Sequence, residues 1–130
     1  MLTIDDNNNL TMIKGDTAVF GIEFHDTIAD ETYALQSGDK AIFTLRRVLA
    51  SSDEDSPIIS RECDIVPASE SSDDYGRCII TLVNGDTEDV RPGKYYWDVQ
   101  LQTSTGIIQT VGPYRLTLKD HVTKGVISDV

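Results

Sequence analysis

The sequence predicts an all-β fold, two packed antiparallel sheets built from about seven to nine short strands. Three observations predict it. Apolar residues recur at every second position through most of the chain, as strands with one buried face require. Turn chemistry built on Gly, Asn, Asp and Pro separates these stretches. No window carries an i, i+3, i+4, i+7 apolar stripe of helical length. At 130 residues the chain reads as a single domain spanning 1–130. A domain of this size hides roughly two-thirds of its unfolded surface, enough for a core without metal or disulfide staples.

Taken in order, the first candidate strands are Leu2-Thr3-Ile4 and Leu10-Thr11-Met12-Ile13, with residues 1–9 forming an N-terminal arm. Lys14-Gly15-Asp16 then turns the chain into Ala18, Phe20, Ile22 and Phe24, which alternate with Val19, Gly21 and Glu23. Residues 28–35 fit a helical turn or, through Thr32 and Tyr33, a short strand. Ser37-Gly38-Asp39 precedes the alternating Ala41, Phe43 and Leu45. Residues 50–56 and 67–74 are acidic and serine-rich and read as surface loops. They flank a 57–66 segment in which residues 58–63 suit a short strand. Cys78, Ile80 and Leu82 alternate, and Asn84-Gly85-Asp86 turns the chain.

The cleanest strand follows Arg91-Pro92-Gly93. Tyr95, Trp97, Val99 and Leu101 point one way, and Tyr96, Asp98, Gln100 and Gln102 the other. Ser104-Thr105-Gly106 reads as a tight hairpin leading to residues 107–111, and Tyr114, Leu116 and Leu118 make a last strand before a tail at 119–130. Trp97 falls at the centre of the expected core. Tyr95 stands two residues before it and just after a turn. That is the placement of the tyrosine corner in immunoglobulin-like sandwiches, where a phenol bonds the backbone upstream. A partly open barrel is the alternative architecture.

Lys and Arg number 11 against 22 Asp and Glu, a formal charge of −11. Such a surface repels phosphate backbones, so nucleic-acid binding is not expected. Apolar runs stay far short of the ~20 residues that span a bilayer, so no membrane insertion is expected.

Chemistry is sparse. His25 beside Asp26 and His121 beside Asp120 are each a base with a neighbouring carboxylate, but each reads first as a surface histidine. No G-x-S-x-G turn offers a nucleophile. Cys63 and Cys78 lie in or beside strand patterns with no nearby histidine and read as free, part-buried thiols. Asp53-Glu54-Asp55 and Asp73-Asp74 carry hard oxygen ligands but lack the EF-hand loop pattern. Gly38, Gly85 and Gly93 are single turn glycines, not a phosphate loop. Tyr96, Tyr33 and Tyr75 are candidate rings for stacking on a sugar. The expectation is therefore no enzyme, with no catalytic, cofactor-binding or metal-ligating residue and no cofactor.

The order of landmarks resembles small tail-associated proteins of phages and prophages from Gram-positive hosts. It is similar to the N-terminal immunoglobulin-like domain of baseplate upper proteins. The residues that carry the likeness begin with Leu10-Thr11-Met12-Ile13-Lys14-Gly15-Asp16-Thr17 and Gly38-Asp39-Lys40-Ala41-Ile42-Phe43-Thr44-Leu45-Arg46-Arg47. They continue with Asp86-Thr87, then Pro92-Gly93-Lys94-Tyr95-Tyr96-Trp97-Asp98-Val99-Gln100-Leu101, and close with Tyr114-Arg115-Leu116-Thr117-Leu118 and Val122-Thr123. The resemblance implies an immunoglobulin-like sandwich acting as a structural or adaptor piece of a virion, in the tail or baseplate. It implies other tail proteins as partners and a homo-oligomer. Residues 1–6 show no leader pattern, so the expected location is the cytoplasm of the producing bacterium during assembly, then the virion. The alternative function is a carbohydrate-binding module for a bacterial surface glycan.

Overall fold

The computed structural model describes residues 2–26, 31–33, 35–47, 57–65 and 77–121. The two acidic loops, Tyr75 and the tail from residue 122 lie outside the described residues. In chain order the elements are β1 (Thr3–Ile4), β2 (Leu10–Ile13), β3 (Ala18–Ile22), β4 (His25–Asp26) and β5 (Glu31–Thr32). Next come β6 (Lys40–Arg46), β7 (Ile59–Glu62), β8 (Asp64–Ile65), β9 (Cys78–Leu82) and one turn of helix, α1 (Asn84–Thr87). Two long strands close the fold, β10 (Gly93–Gln102) and β11 (Ile108–Lys119).

The strands form a β-sandwich of immunoglobulin-like topology. The larger sheet runs β1-β2-β11-β10-β6-β7, and the smaller runs β3-β9-β8; β4 and β5 pair only with each other. All pairings are antiparallel except β2 with β11, which run parallel from Leu10 opposite Leu116 to Ile13 opposite Lys119. The small sheet β3-β9-β8 corresponds to strands B, E and D of an immunoglobulin sandwich, and β11-β10-β6 to strands G, F and C.

The core lies between the inner faces. Ala41, Phe43 and Leu45 on β6, Trp97, Val99 and Leu101 on β10, and Leu116 and Leu118 on β11 come from the larger sheet. Ala18, Phe20 and Ile22 on β3 and Ile80 and Leu82 on β9 meet them from the smaller. Hiding each large side chain contributes roughly 1.5–3 kcal/mol, which is why alternation selects this register. Trp97, 1% exposed, meets Phe20 edge-on at 5.7 Å, Phe43 at 5.7 Å and Tyr114 at 4.9 Å. Its indole N–H donates to the Arg115 carbonyl at 3.2 Å. Antibody domains link strands B and F by a disulfide whose second cysteine follows the corner tyrosine by two residues. Here Trp97 occupies that place on β10, and Phe20 meets it from β3. The corner itself is formed, because the Tyr95 hydroxyl donates to the Arg91 carbonyl.

Three segments differ from the sequence reading. Residues 107–111 and 114–118 are not two strands; β11 is continuous across Pro113. Its register against β10 shifts between Trp97 and Val99, so the chain carries a bulge opposite Asp98. Gly112 makes the bulge possible: its φ is 115°, and a Cβ there would come within 3.0 Å of both the Asp98 Cβ and the Trp97 carbonyl.

Residues 58–63 do not form one strand either. The Cys63 N–H still donates to Ala41 in the larger sheet, at 2.8 Å, while Asp64 and Ile65 already pair with β9 in the smaller one. The chain changes sheet there, so one apolar pattern spans two strands. Finally, Asn84-Gly85-Asp86 reverses the chain as one turn of helix. The Glu88 N–H donates to the Asn84 carbonyl at 3.1 Å, and the Asp86 carboxylate accepts the Val83 N–H at 2.7 Å.

Candidate functional site

The polar side chains buried in this sandwich brace it. Asp39 is 6% exposed. It accepts the Gln36 N–H at 2.9 Å, the Ser104 N–H at 2.9 Å and the Tyr33 hydroxyl at 3.1 Å. It thereby ties the turn before β6 to the β10–β11 hairpin. The Tyr33 phenol is committed to that bond.

Arg61 on β7 forms a two-pronged pair with Asp86 of α1, one prong at 2.6 Å, and donates to the Thr81 carbonyl on β9 at 3.0 Å. It fastens the rim of the larger sheet to the smaller one. Burial pushes the Asp86 carboxyl up, but the Arg61 guanidinium and the Val83 N–H outweigh it, and the net position is below the ordinary carboxylate range.

Neither histidine pairs with its sequence neighbour as a base–carboxylate unit. His25 lies in β4 opposite Thr32, and its side chain lies outside the described residues. Asp120 accepts the backbone N–H of His121 at 2.9 Å. The imidazole turns instead to Glu88, with Nε2 3.5 Å from the carboxylate. Glu88 belongs to a corner in which the Gly15 N–H donates to Thr87 Oγ1 at 2.7 Å and the Asn84 amide donates to the Gly15 carbonyl at 2.8 Å. Gly15 is required there, since its φ is 83° and a Cβ would fall 2.0 Å from the Glu88 carboxylate.

Cys63 and Cys78 are free and buried. The neighbouring Cys78 thiol and burial push the Cys63 thiol far above its ordinary value, so it carries no thiolate at neutral pH. Among the described residues no group of three or more His, Cys, Asp or Glu side chains could hold a metal ion, and no helix is long and apolar enough to cross a membrane.

What the fold does leave open is a strand position. In constant-type immunoglobulin domains a first strand pairs along the outer edge of strand B. Here β3 stands at the end of its sheet with β9 as its one partner strand, because β2 lies in the other sheet beside β11. The register of β2 with β11 begins only at Leu116, so the first half of β11 also has no partner strand on its outer side. Between the two edges runs a groove of about 860 Å³. Phe20, Ile22, Val111 and Tyr114 give it apolar walls, and Gln109, Thr110, Glu23 and Arg77 give it polar ones. Arg77 reaches across β3, donating to the Gly21 carbonyl at 3.3 Å with its Nε 3.7 Å from Glu23.

The N-terminal arm closes one end of the groove with Ile4 and Asn8. It folds back on its own chain, with Ile4 opposite Leu10. The Asp5 carboxylate accepts the N–H groups of Asn9 at 2.9 Å and Asn7 at 2.8 Å, which holds its pKa below the ordinary value. The Asn9 side chain in turn accepts the Arg115 N–H at 3.2 Å, standing in for a ladder partner on β11.

Sequence reading singled out strand edges as docking points but did not locate this one. Pro113 hid the length of β11, and alternation alone does not say which sheet β2 joins. The chain matches no protein-family model and no curated protein.

Proposed function

We propose that this chain is a non-catalytic assembly module, a structural or adaptor component of a phage or prophage virion in its tail or baseplate. The observation that carries the assembly reading is the vacant strand position between β3 and the first half of β11. Unpaired strand edges over an apolar floor accept an extended segment of a neighbouring protein. Main-chain bonds supply affinity, and alternate side chains fill the groove. The virion context rests on the resemblance in landmark order; the groove adds a means by which such a piece docks.

Mass spectrometry of particles released by the producing strain tests the proposal. The chain is expected in the particles, and the folded variant Thr110→Trp, which fills the groove from an exposed position, is expected to be depleted from them. Absence of the chain from particles, or equal incorporation of the variant, refutes it.

The second reading, a module for a bacterial surface glycan, draws on Tyr96. This ring is half-buried on the outer side of the larger sheet, opposite Arg46 on one side and Arg115 on the other. A change in tyrosine fluorescence on adding cell-wall glycan supports it; Trp97 is too buried to report.

A further inference from the structure

The charge of this chain is segregated by face. Along β6, β10 and the end of β11, core residues alternate with residues on the outer side of the larger sheet. Those outer positions hold Lys40, Arg46, Lys94, Arg115 and Lys119, five of the chain's 11 cations. The acids on the same side are Asp98 and, on β7 opposite Ile42, Glu62, two of 22. The face therefore carries +3 in a chain of −11, which leaves −14 on everything else. Burial also pushes the Asp98 carboxyl up, with Arg46 opposing, so it resists ionisation where it stands. The cations are not scattered. Arg46, Tyr96 and Arg115 sit in one register row across β6, β10 and β11, with Lys94 two residues before Tyr96 on β10.

We infer that this face docks the acidic surface of a second copy of the chain, head to tail. The inference rests on the assembly reading but uses a surface distinct from the groove. Guanidinium groups on either side of an aromatic ring suit carboxylates, which they bind in a two-pronged fork. A second copy presents carboxylates in excess on every other side. Face-to-face pairing sets five cations against five and is repelled, so a two-fold symmetric contact through this sheet is disfavoured. A heterologous contact remains, and it propagates into a ring or a filament.

Salt dependence follows from the two ranges of the field. At ~0.01 M salt the screening length is about 30 Å, and the repulsion of two chains of −11 dominates. At ~0.1 M it is about 10 Å, and the local contact between unlike faces prevails. At ~1 M it is about 3 Å, and that contact is screened away.

Sedimentation velocity of the full chain across these three salt concentrations tests the inference. Association is expected to peak near ~0.1 M. It is expected to fall about tenfold in Lys94→Glu/Arg115→Glu, where two exposed pairs become repulsive. The milder Lys94→Gln/Arg115→Gln pair is expected to lie between. Four results overturn the inference: a chain that stays monomeric at all three concentrations, association that rises steadily with salt, association unchanged in both variants, and a monomer that binds polyphosphate through the same residues. Thr110→Trp separates the two surfaces. If it abolishes association while the charge variants do not, the sheet-face contact fails and the groove reading stands.

Discussion

Replacing Asp39 by alanine probes how this sandwich holds its two ends together. The carboxylate is 6% exposed and accepts three hydrogen bonds, from the Gln36 and Ser104 amides and the Tyr33 hydroxyl. A hydrogen bond to a charged group contributes about 1.5–3 kcal/mol, and each buried donor left without a partner costs about 1–3 kcal/mol. Against this, alanine removes the desolvation of a buried charge, itself several kcal/mol. The balance is a loss of about 3 kcal/mol. For a chain of this length that corresponds to a fall in Tm of about 12 °C.

Asparagine discriminates the mechanism. It offers one acceptor oxygen, while the donors approach both carboxylate oxygens, with Ser104 on Oδ1 and Gln36 and Tyr33 on Oδ2. Asp39→Asn is therefore expected to lose about 2 kcal/mol rather than a few tenths. Urea denaturation gives the stabilities, and amide exchange at Ser104 shows whether the hairpin has come loose. A loss below about 1 kcal/mol for alanine, or an unchanged Ser104 amide, refutes the bracing role assigned to Asp39.

Other expectations follow from the same structure. Tyr95→Phe removes the corner bond to Arg91 and should cost about 1 kcal/mol in urea denaturation with the fold intact by circular dichroism. Asp86 has a folded pKa below its unfolded value. Its stabilisation is therefore present above the unfolded carboxylate pKa and is lost as pH falls through the lower folded one. Asp86→Asn should cost about 2 kcal/mol at neutral pH, and its deficit should close on titration to strong acid. Asp98 has the opposite sign. Its folded pKa is raised, so its charged form is disfavoured by folding, and Asp98→Asn should raise Tm at neutral pH with the gain vanishing below the carboxylate range.

Alternation carried most of the fold because burial of one strand face is a local property of the sequence. Trp97 reads as central because it stands mid-strand, and Tyr95 because the corner motif is a matter of two residues and a turn. The misreadings share a cause: each depends on what a segment meets in space. Pro113 signals a break in isolation, yet Gly112 beside it takes up a bulge that keeps β11 whole. Residues 58–63 look like one strand because Cys63 remains in an apolar pattern while the chain crosses between sheets. Asp39 and Asp86 read as turn residues, and they are; their partners Ser104 and Arg61 lie 65 and 25 residues away. The groove is a vacancy between two edges, and no local pattern encodes a missing neighbour.

Hydrogen exchange on the chain in assembled particles, compared with the free chain, tests the strand-docking claim most directly. If a partner strand occupies the vacant position, amides of β3 and of residues 108–111 gain protection while those of β9 and β10 stay as they were. Unchanged exchange along both edges in a chain firmly held in the particle contradicts it.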